Sequence, residues 1–307
     1  MSLIDLRLKE YRKQNESFPT RLVYPLTDRG WASEINNLAL VMLYCLENKI
    51  ELQLYTDGWN SGRWNNYFEP FCKTFKSPVK IPVYIFTEKG KKRKLYRIFH
   101  NMAYRNTHLT DNARWTSIKE MSKKSRSYSY PEIGIDGDIF HALQQLFNIL
   151  LRPIESLQNE LDAAILPYQN KDVLGIHVRR GDKLIREAGM FPVQEYVEKA
   201  QSASFGFSEV FVASDSGQTL KEFQEALPNI KHSTFCNLNS AGHDQKTFNN
   251  RALDTRIAET NNIIKDIYIL KTSRYFVGTF SSNVGRLVHT LRNGKNSLSL
   301  DEDWCPG

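Results

Sequence analysis

The near-continuous apolar run Val173–Val178 stops abruptly at Arg179-Arg180-Gly181-Asp182-Lys183. An apolar run of this length reads as a strand buried on both faces, the kind found in parallel sheets covered by helices. In an open α/β sheet, ligands gather just beyond the carboxyl ends of the strands. Two arginines and a lysine placed there suit a dense anion such as a pyrophosphate. Arginine forks hold phosphate oxygens bidentately and keep their charge.

The rest of the chain supplies the sheet that such a strand needs. Strands are expected at 21–26, 51–55 and 81–86, with a helix at 34–48 between the first two. Helical periodicity returns at 139–151, stops at Pro153 and resumes at 154–165. The second half alternates more cleanly, with strands at 173–178, 210–213, 230–235 and 275–280. Helices are expected at 193–202, 219–227, 262–271 and from Ser282 to Leu291, and 236–260 reads as a long polar loop. Strands separated by helices at this spacing imply parallel sheets. The expected fold is α/β, with an N-terminal lobe at 1–152 and a C-terminal lobe at 153–307 facing a cleft.

Charge is unevenly spread. The chain of 307 residues carries +7, yet 73–126 holds fifteen Lys and Arg against three acids, so the remainder is net acidic. Such a stretch suits an anionic partner or a solvated basic face. No nucleic-acid-binding module accompanies it, so nucleic acid is not expected as a partner. The longest uninterrupted apolar run, 38–46, is too short to span a bilayer, and no signal peptide is evident in the charged N-terminus. Cys45, Cys72, Cys236 and Cys305 have no metal-like spacing and read as free thiols. Together these features predict a cytoplasmic protein, or a Golgi-lumenal one if an anchor has been trimmed. They do not set its oligomeric state.

Three groups of the second half are expected to converge on one site. The first is the arginine cluster with Asp182 and Lys183. The second is Thr279-Phe280-Ser281-Ser282, where a strand meets a helix and free backbone N–H groups and hydroxyls suit a phosphate. The third is Ser214-Asp215-Ser216-Gly217, whose carboxylate could bond a ribose or orient an arginine. Each has a plainer alternative. The arginines could bridge to acids, Ser281 or Ser282 could be an ordinary N-cap, and Asp215 could cap the helix after Gly217. In the first half, Trp59 and Trp64 could stack on a sugar ring or anchor their loop in the core.

His177-Val178-Arg179-Arg180-Gly181-Asp182-Lys183, Phe211-Val212-Ala213-Ser214-Asp215 and the block from Asp266 to Arg286 resemble the three shared motifs of the α1,6-fucosyltransferases. That family includes the enzyme that fucosylates the N-glycan core and the rhizobial chitooligosaccharide enzyme. Glu187-Ala188 and Phe191-Pro192-Val193-Gln194-Glu195-Tyr196 follow the first motif as they do in the family. The similarity covers 170–292 well and 31–70 more weakly.

The resemblance implies a GT-B-like fold of two Rossmann-type lobes, with inverting, metal-independent transfer of L-fucose from GDP-β-L-fucose to a glycan hydroxyl, α1,6-linked. No cofactor beyond the GDP-sugar donor is implied. Arg179 would bind the β-phosphate, with Asp266 and His177 at the guanine and Ser281 and Ser282 on phosphate or sugar oxygens. Glu187 would be the general base, beside Lys183, while Arg180, Asp182 and Asp215 would shape the donor pocket. The chain departs from the N-glycan-core enzymes in having no expected anchor, stem or SH3-like domain, and Gly181 replaces a common threonine. Alternative readings are a transferase for another GDP-sugar or a protein hydroxyl, and a non-catalytic nucleotide-sugar or glycan-binding protein.

Overall fold

A computed structural model describes residues 2–82, 85, 90–124, 126–181, 191–240 and 242–304. They divide into two compact units, one ending at Ile154 and the other Glu155–Trp304.

The first unit opens with helix α1 (Leu3–Glu16), started by a capping box in which Ser2 and Asp5 exchange backbone-to-side-chain hydrogen bonds of 2.8 and 3.2 Å. Then follow β1 (Thr20–Pro25), α2 (Trp31–Glu47), β2 (Ile50–Tyr55) and β3 (Lys73–Thr74). The basic stretch forms α3 (Lys91–Ala103), β4 (Thr107–Leu109) and α4 (Asn112–Ser122). An antiparallel hairpin, β5 (Tyr128–Tyr130) with β6 (Ile135–Gly137), leads into α5 (Ile139–Leu150). The sheet runs β3-β2-β1-β4, all parallel. Helix α2 buries Ile35, Leu38, Val41, Met42 and Leu46, the spacing that lets one helix cover a sheet.

The expected strand at 81–86 is not found among the described residues. Residues 83, 84 and 86 lie outside the described residues, and 81, 82 and 85 carry no strand. Ile81 and Ile85 are instead buried in a cluster with Val23, Tyr55, Phe75 and Tyr96. Their apolarity serves packing, and the sheet position beside β1 goes to β4.

The second unit contains α6 (Glu155–Ile165), β7 (Val173–Val178), α7 (Val193–Ser202), β8 (Glu209–Ser214), α8 (Gly217–Ala226) and β9 (Lys231–Ser233). It continues through α9 (Gln245–Asn250), α10 (Leu253–Thr272), β10 (Tyr275–Gly278), α11 (Asn283–Leu291) and β11 (Ser297–Ser299). Its parallel sheet runs β11-β10-β7-β8-β9, and every residue of β7 is buried. Leu174, Ile176 and Val178 pack with Val210, Val212 and Val277 and with Tyr196, Val197 and Phe223. The expected loop at 236–260 is shorter than its polarity suggests. Asp244 caps α9 by accepting from Thr247 N at 2.7 Å, and α10 already begins at Leu253.

Candidate active site

The order of the second sheet sets where a ligand would sit. From β7 the chain steps to β8 and β9 on one side, then returns to β10 and β11 on the other. The reversal point therefore lies between β7 and β10, where open α/β sheets bind their ligands at the carboxyl edge. Parallel register brings the edge residues level. Val178 pairs with Ser214, and Ile176 with Val277. Arg179, Asp215 and Thr279 thus follow their strands at the same end of the sheet, Arg179 and Thr279 on the two sides of the reversal.

Asp215 organises this edge. Its Oδ1 accepts from Arg180 N at 2.7 Å, and its Oδ2 accepts from His243 N at 3.2 Å and lies 3.3 Å from Arg179 Nε. Its carbonyl accepts from Ser240 Oγ at 2.7 Å, and Gly217 N donates to Ser240 O at 2.9 Å. The segment around 240–243 is thereby tied to the ends of β7 and β8. Gly181 permits this approach, because a Cβ there would lie 2.3 Å from His243 O and 2.7 Å from Asp215 Oδ2. Of the roles open to Asp215 in the sequence, orienting a neighbouring arginine is the one its contacts describe. The Arg179 side chain remains 21% exposed, so the pair holds the guanidinium without enclosing it.

Arg180 goes to a different task. Its Nη1 donates to Phe191 O at 2.9 Å and its Nη2 lies 3.3 Å from Glu222, with the side chain only 9% exposed. It clamps α8 to the start of α7. These contacts are those of the plainer alternative, a bridge to an acid.

Several polar atoms near this edge are buried without a hydrogen-bond partner among the described residues. They are His177 Nδ1, Thr279 Oγ1 and Asp266 Oδ1. Buried polar groups are normally paired, so such leftovers mark places where a ligand can complete the bonding. Burial, with the Arg179 charge adding to it, pushes His177 down to about 4, so its imidazole is neutral at pH 7. Burial drives the carboxyl of Asp266 well above the ordinary carboxylate range. Asp266 projects from α10, and Tyr168 and Cys236 lie within its electrostatic reach.

The turn after β10 is only partly open. Gly285 lets α11 start tight against it, since a Cβ there would meet Thr279 O at 2.0 Å. Phe280 N donates to Asp301 Oδ1 at 2.7 Å, and both the amide (3.2 Å) and the hydroxyl of Ser281 donate to Asp301 Oδ2. Burial alone would raise Asp301, but the bonds from Ser281 and Ser299 hold it below its usual value. Ser281 is therefore bonded within the protein through both its amide and its hydroxyl. Ser282 is the N-cap residue of α11, yet its side chain makes no capping bond. Neither Asp301 nor Ser240 was anticipated. Asp301 stands in a charged tail that reads as solvated, and Ser240 in an unpatterned loop.

Asp182, Lys183 and Glu187 lie outside the described residues. Trp59 and Trp64 are each 5% exposed and stack at 5.9 Å between centroids. Trp59 meets Tyr67 edge-on, and Trp64 packs against Phe68 and Phe71 at 5.2 Å. Trp59 is thus a core residue, not a sugar platform. Trp64 also lines a cavity of about 540 Å³ within the first unit, whose wall includes Phe71, Phe75, Asp57, Arg63 and Lys76.

The second unit is thus an open parallel α/β sheet whose strand reversal is bordered by an oriented arginine. The family model for α-(1,6)-fucosyltransferase N- and catalytic domains matches residues 38–299. The chain therefore belongs to the α-(1,6)-fucosyltransferase family. It is 31% identical over 175 residues to an α-(1,6)-fucosyltransferase of Caenorhabditis elegans, covering 52% of this chain and 30% of that protein. The corresponding protein of Drosophila melanogaster is 28% identical over 159 residues, covering 48% and 24%. The matched region thus spans under a third of these relatives. In structure, the NodZ α-1,6-fucosyltransferase soaked with GDP-fucose superposes with a TM-score of 0.54 at 16% identity, covering 89% of this chain and 92% of that one. POFUT1 in complex with GDP-fucose gives 0.51 at 13%, covering 92% and 97%.

Proposed function

We propose that this chain transfers L-fucose from GDP-β-L-fucose to a glycan hydroxyl, with inversion and without a metal, in α1,6 linkage. The second unit would bind the donor and the first the acceptor, in the GT-B manner. The observation that carries the reading is the set of buried atoms on His177, Thr279 and Asp266 that lack partners among the described residues, around an arginine oriented by Asp215.

The Asp266 carboxyl would accept from the guanine edge, and that bonding would offset the cost of its burial. Neutral His177 would sit beside the base. Arg179 would meet the β-phosphate and stabilise the negative charge that grows on GDP as the glycosidic bond breaks. A preorganised cation in a partly dried site does this without reorganising. Ser282 would bond a phosphate or sugar oxygen. Glu187 would take the proton of the attacking hydroxyl, with Lys183 and Asp182 beside it. The cavity lined by Trp64, Phe71 and Phe75 supports an acceptor sugar in the first unit, since aromatic faces with a polar rim suit a saccharide ring.

Purified protein mixed with GDP-fucose or GDP-mannose, then with a panel of glycan acceptors, tests this reading. GDP-fucose should raise the melting temperature and be consumed, with the product linkage read by NMR. Glu187→Gln should keep GDP affinity and lose about 10²–10⁴-fold in turnover. Equal stabilisation by both donors, or parent-level turnover by Glu187→Gln, would overturn the donor or the base assignment respectively.

A further inference from the structure

The donor chemistry leaves the basic stretch at 73–126 unused. Its densest part, Lys91-Lys92-Arg93-Lys94, is the first turn of α3, a helix without a single acid. One face of α3 is buried in the usual way, with Tyr96 and His100 packed among Phe75, Phe99 and Tyr104. The opposite face is apolar as well. Leu95, Ile98 and Met102 are 66%, 50% and 81% exposed. At i, i+3 and i+7 they form one stripe. By helical geometry Lys91 continues the stripe one turn earlier, while Lys92 and Lys94 flank it on either side. None of these three lysines has an acid partner among the described residues.

Single exposed apolar residues are ordinary, but a contiguous stripe ringed by cations is not. A purely apolar groove on a protein would match the stripe and leave the lysines unanswered. A surface with hydrocarbon beneath and negative charge at its rim answers both. We propose that α3 docks this protein on an anionic lipid bilayer. Leu95, Ile98 and Met102 would enter the acyl boundary, and Lys91, Lys92 and Lys94 would extend their stems along it to the lipid phosphates. One short stripe with a few lysines gives reversible attachment rather than insertion. This surface lies outside the donor-binding unit, so attachment is separable from transfer.

The test is sedimentation of the full chain with phosphatidylcholine vesicles and with vesicles containing about a third phosphatidylserine. The parent should bind the anionic vesicles at least about tenfold more tightly than the neutral ones. Leu95→Ser/Ile98→Ser/Met102→Ser and Lys91→Gln/Lys92→Gln/Lys94→Gln should each lose about tenfold or more on anionic vesicles. Both should keep the parent melting temperature and GDP affinity. Should the triple serine variant fold poorly, Met102→Asp alone makes the same prediction at the most exposed position. Unchanged vesicle binding by the serine variant, or no parental preference for anionic vesicles, would overturn the proposal. So would a parental dimer that the serine variant converts to monomer, because the stripe would then cover a second copy.

Discussion

The two sheets share one topology and treat its reversal point oppositely. In the first unit the chain runs β1, β2, β3 in one direction and returns at β4, so the reversal lies between β1 and β4. There Glu34, Thr27 and Thr110 find partners within the protein, while the buried Trp31 Nε1 and Trp59 Nε1 have none among the described residues. Glu34 is fully buried, accepts from Thr27 Oγ1 at 2.7 Å and from Tyr24 OH at 3.4 Å, and is raised chiefly by its burial. Thr110, just past β4, donates to Val23 O at 3.0 Å. In the second unit the reversal between β7 and β10 is bordered by an oriented arginine, and buried atoms of His177 and Thr279 lack partners among the described residues. Two similar scaffolds differ in what is left over at the reversal, indole N–H groups in the first and an imidazole and a hydroxyl beside an oriented arginine in the second, and topology alone does not make that difference.

The largest effect should come from the arginine. Arg179→Ala should weaken GDP binding about a hundredfold or more, measured by calorimetry, because a charge-assisted contact to phosphate is lost and Asp215 is left facing the ligand. Affinity within threefold of the parent would erase the distinction between the two edges. Acid comes next. His177 titrates near 4 in the fold against about 6.5 in the unfolded chain. The unfolded state therefore binds the extra proton first. The stability that neutral His177 contributes is complete above about pH 6.5 and is lost as pH falls toward 4, at about 1.4 kcal/mol for each pH unit crossed. Thermal melts across that window should flatten in His177→Gln.

The last pair sharpens the contrast directly. Asp266→Asn removes a carboxyl that burial penalises, so the melting temperature should rise. GDP affinity should fall about tenfold, because an amide presents donors where the guanine edge also donates. Thr27→Val in the first unit should do the reverse. It removes the hydroxyl that donates to buried Glu34 at 2.7 Å, costing about 1–3 kcal/mol of stability, and leaves GDP affinity unchanged. If both variants move stability and affinity in the same direction, the first reversal point is a binding edge after all.

Much of the second unit was legible in the chain. Val173–Val178 and Val193–Ser202 have the expected bounds, since a buried parallel strand and its covering helix carry strong local patterns. Residues 81, 82 and 85 of the expected strand at 81–86 carry none, because an apolar segment can fill a core without pairing. The expected loop at 236–260 hid α9 and the first two turns of α10, whose polar faces meet solvent. In the site, the sequence singled out both Arg179 and Arg180 but could not separate them. Their difference depends on Phe191 and Glu222 reaching one and Asp215 the other. Nor could it reveal that Ser281 is already held by Asp301, twenty residues away.

By itself, the sequence determined the alternating α/β order, the cationic end of β7 and the family motifs, because each is written in residues near one another along the chain. The tertiary structure decided which polar atoms are left over. Hydrogen-bond satisfaction depends on what packs from distant segments. Only folding puts Asp215 between two arginines, seals Trp59 in a core and leaves an oxygen of Asp266 without a partner among the described residues.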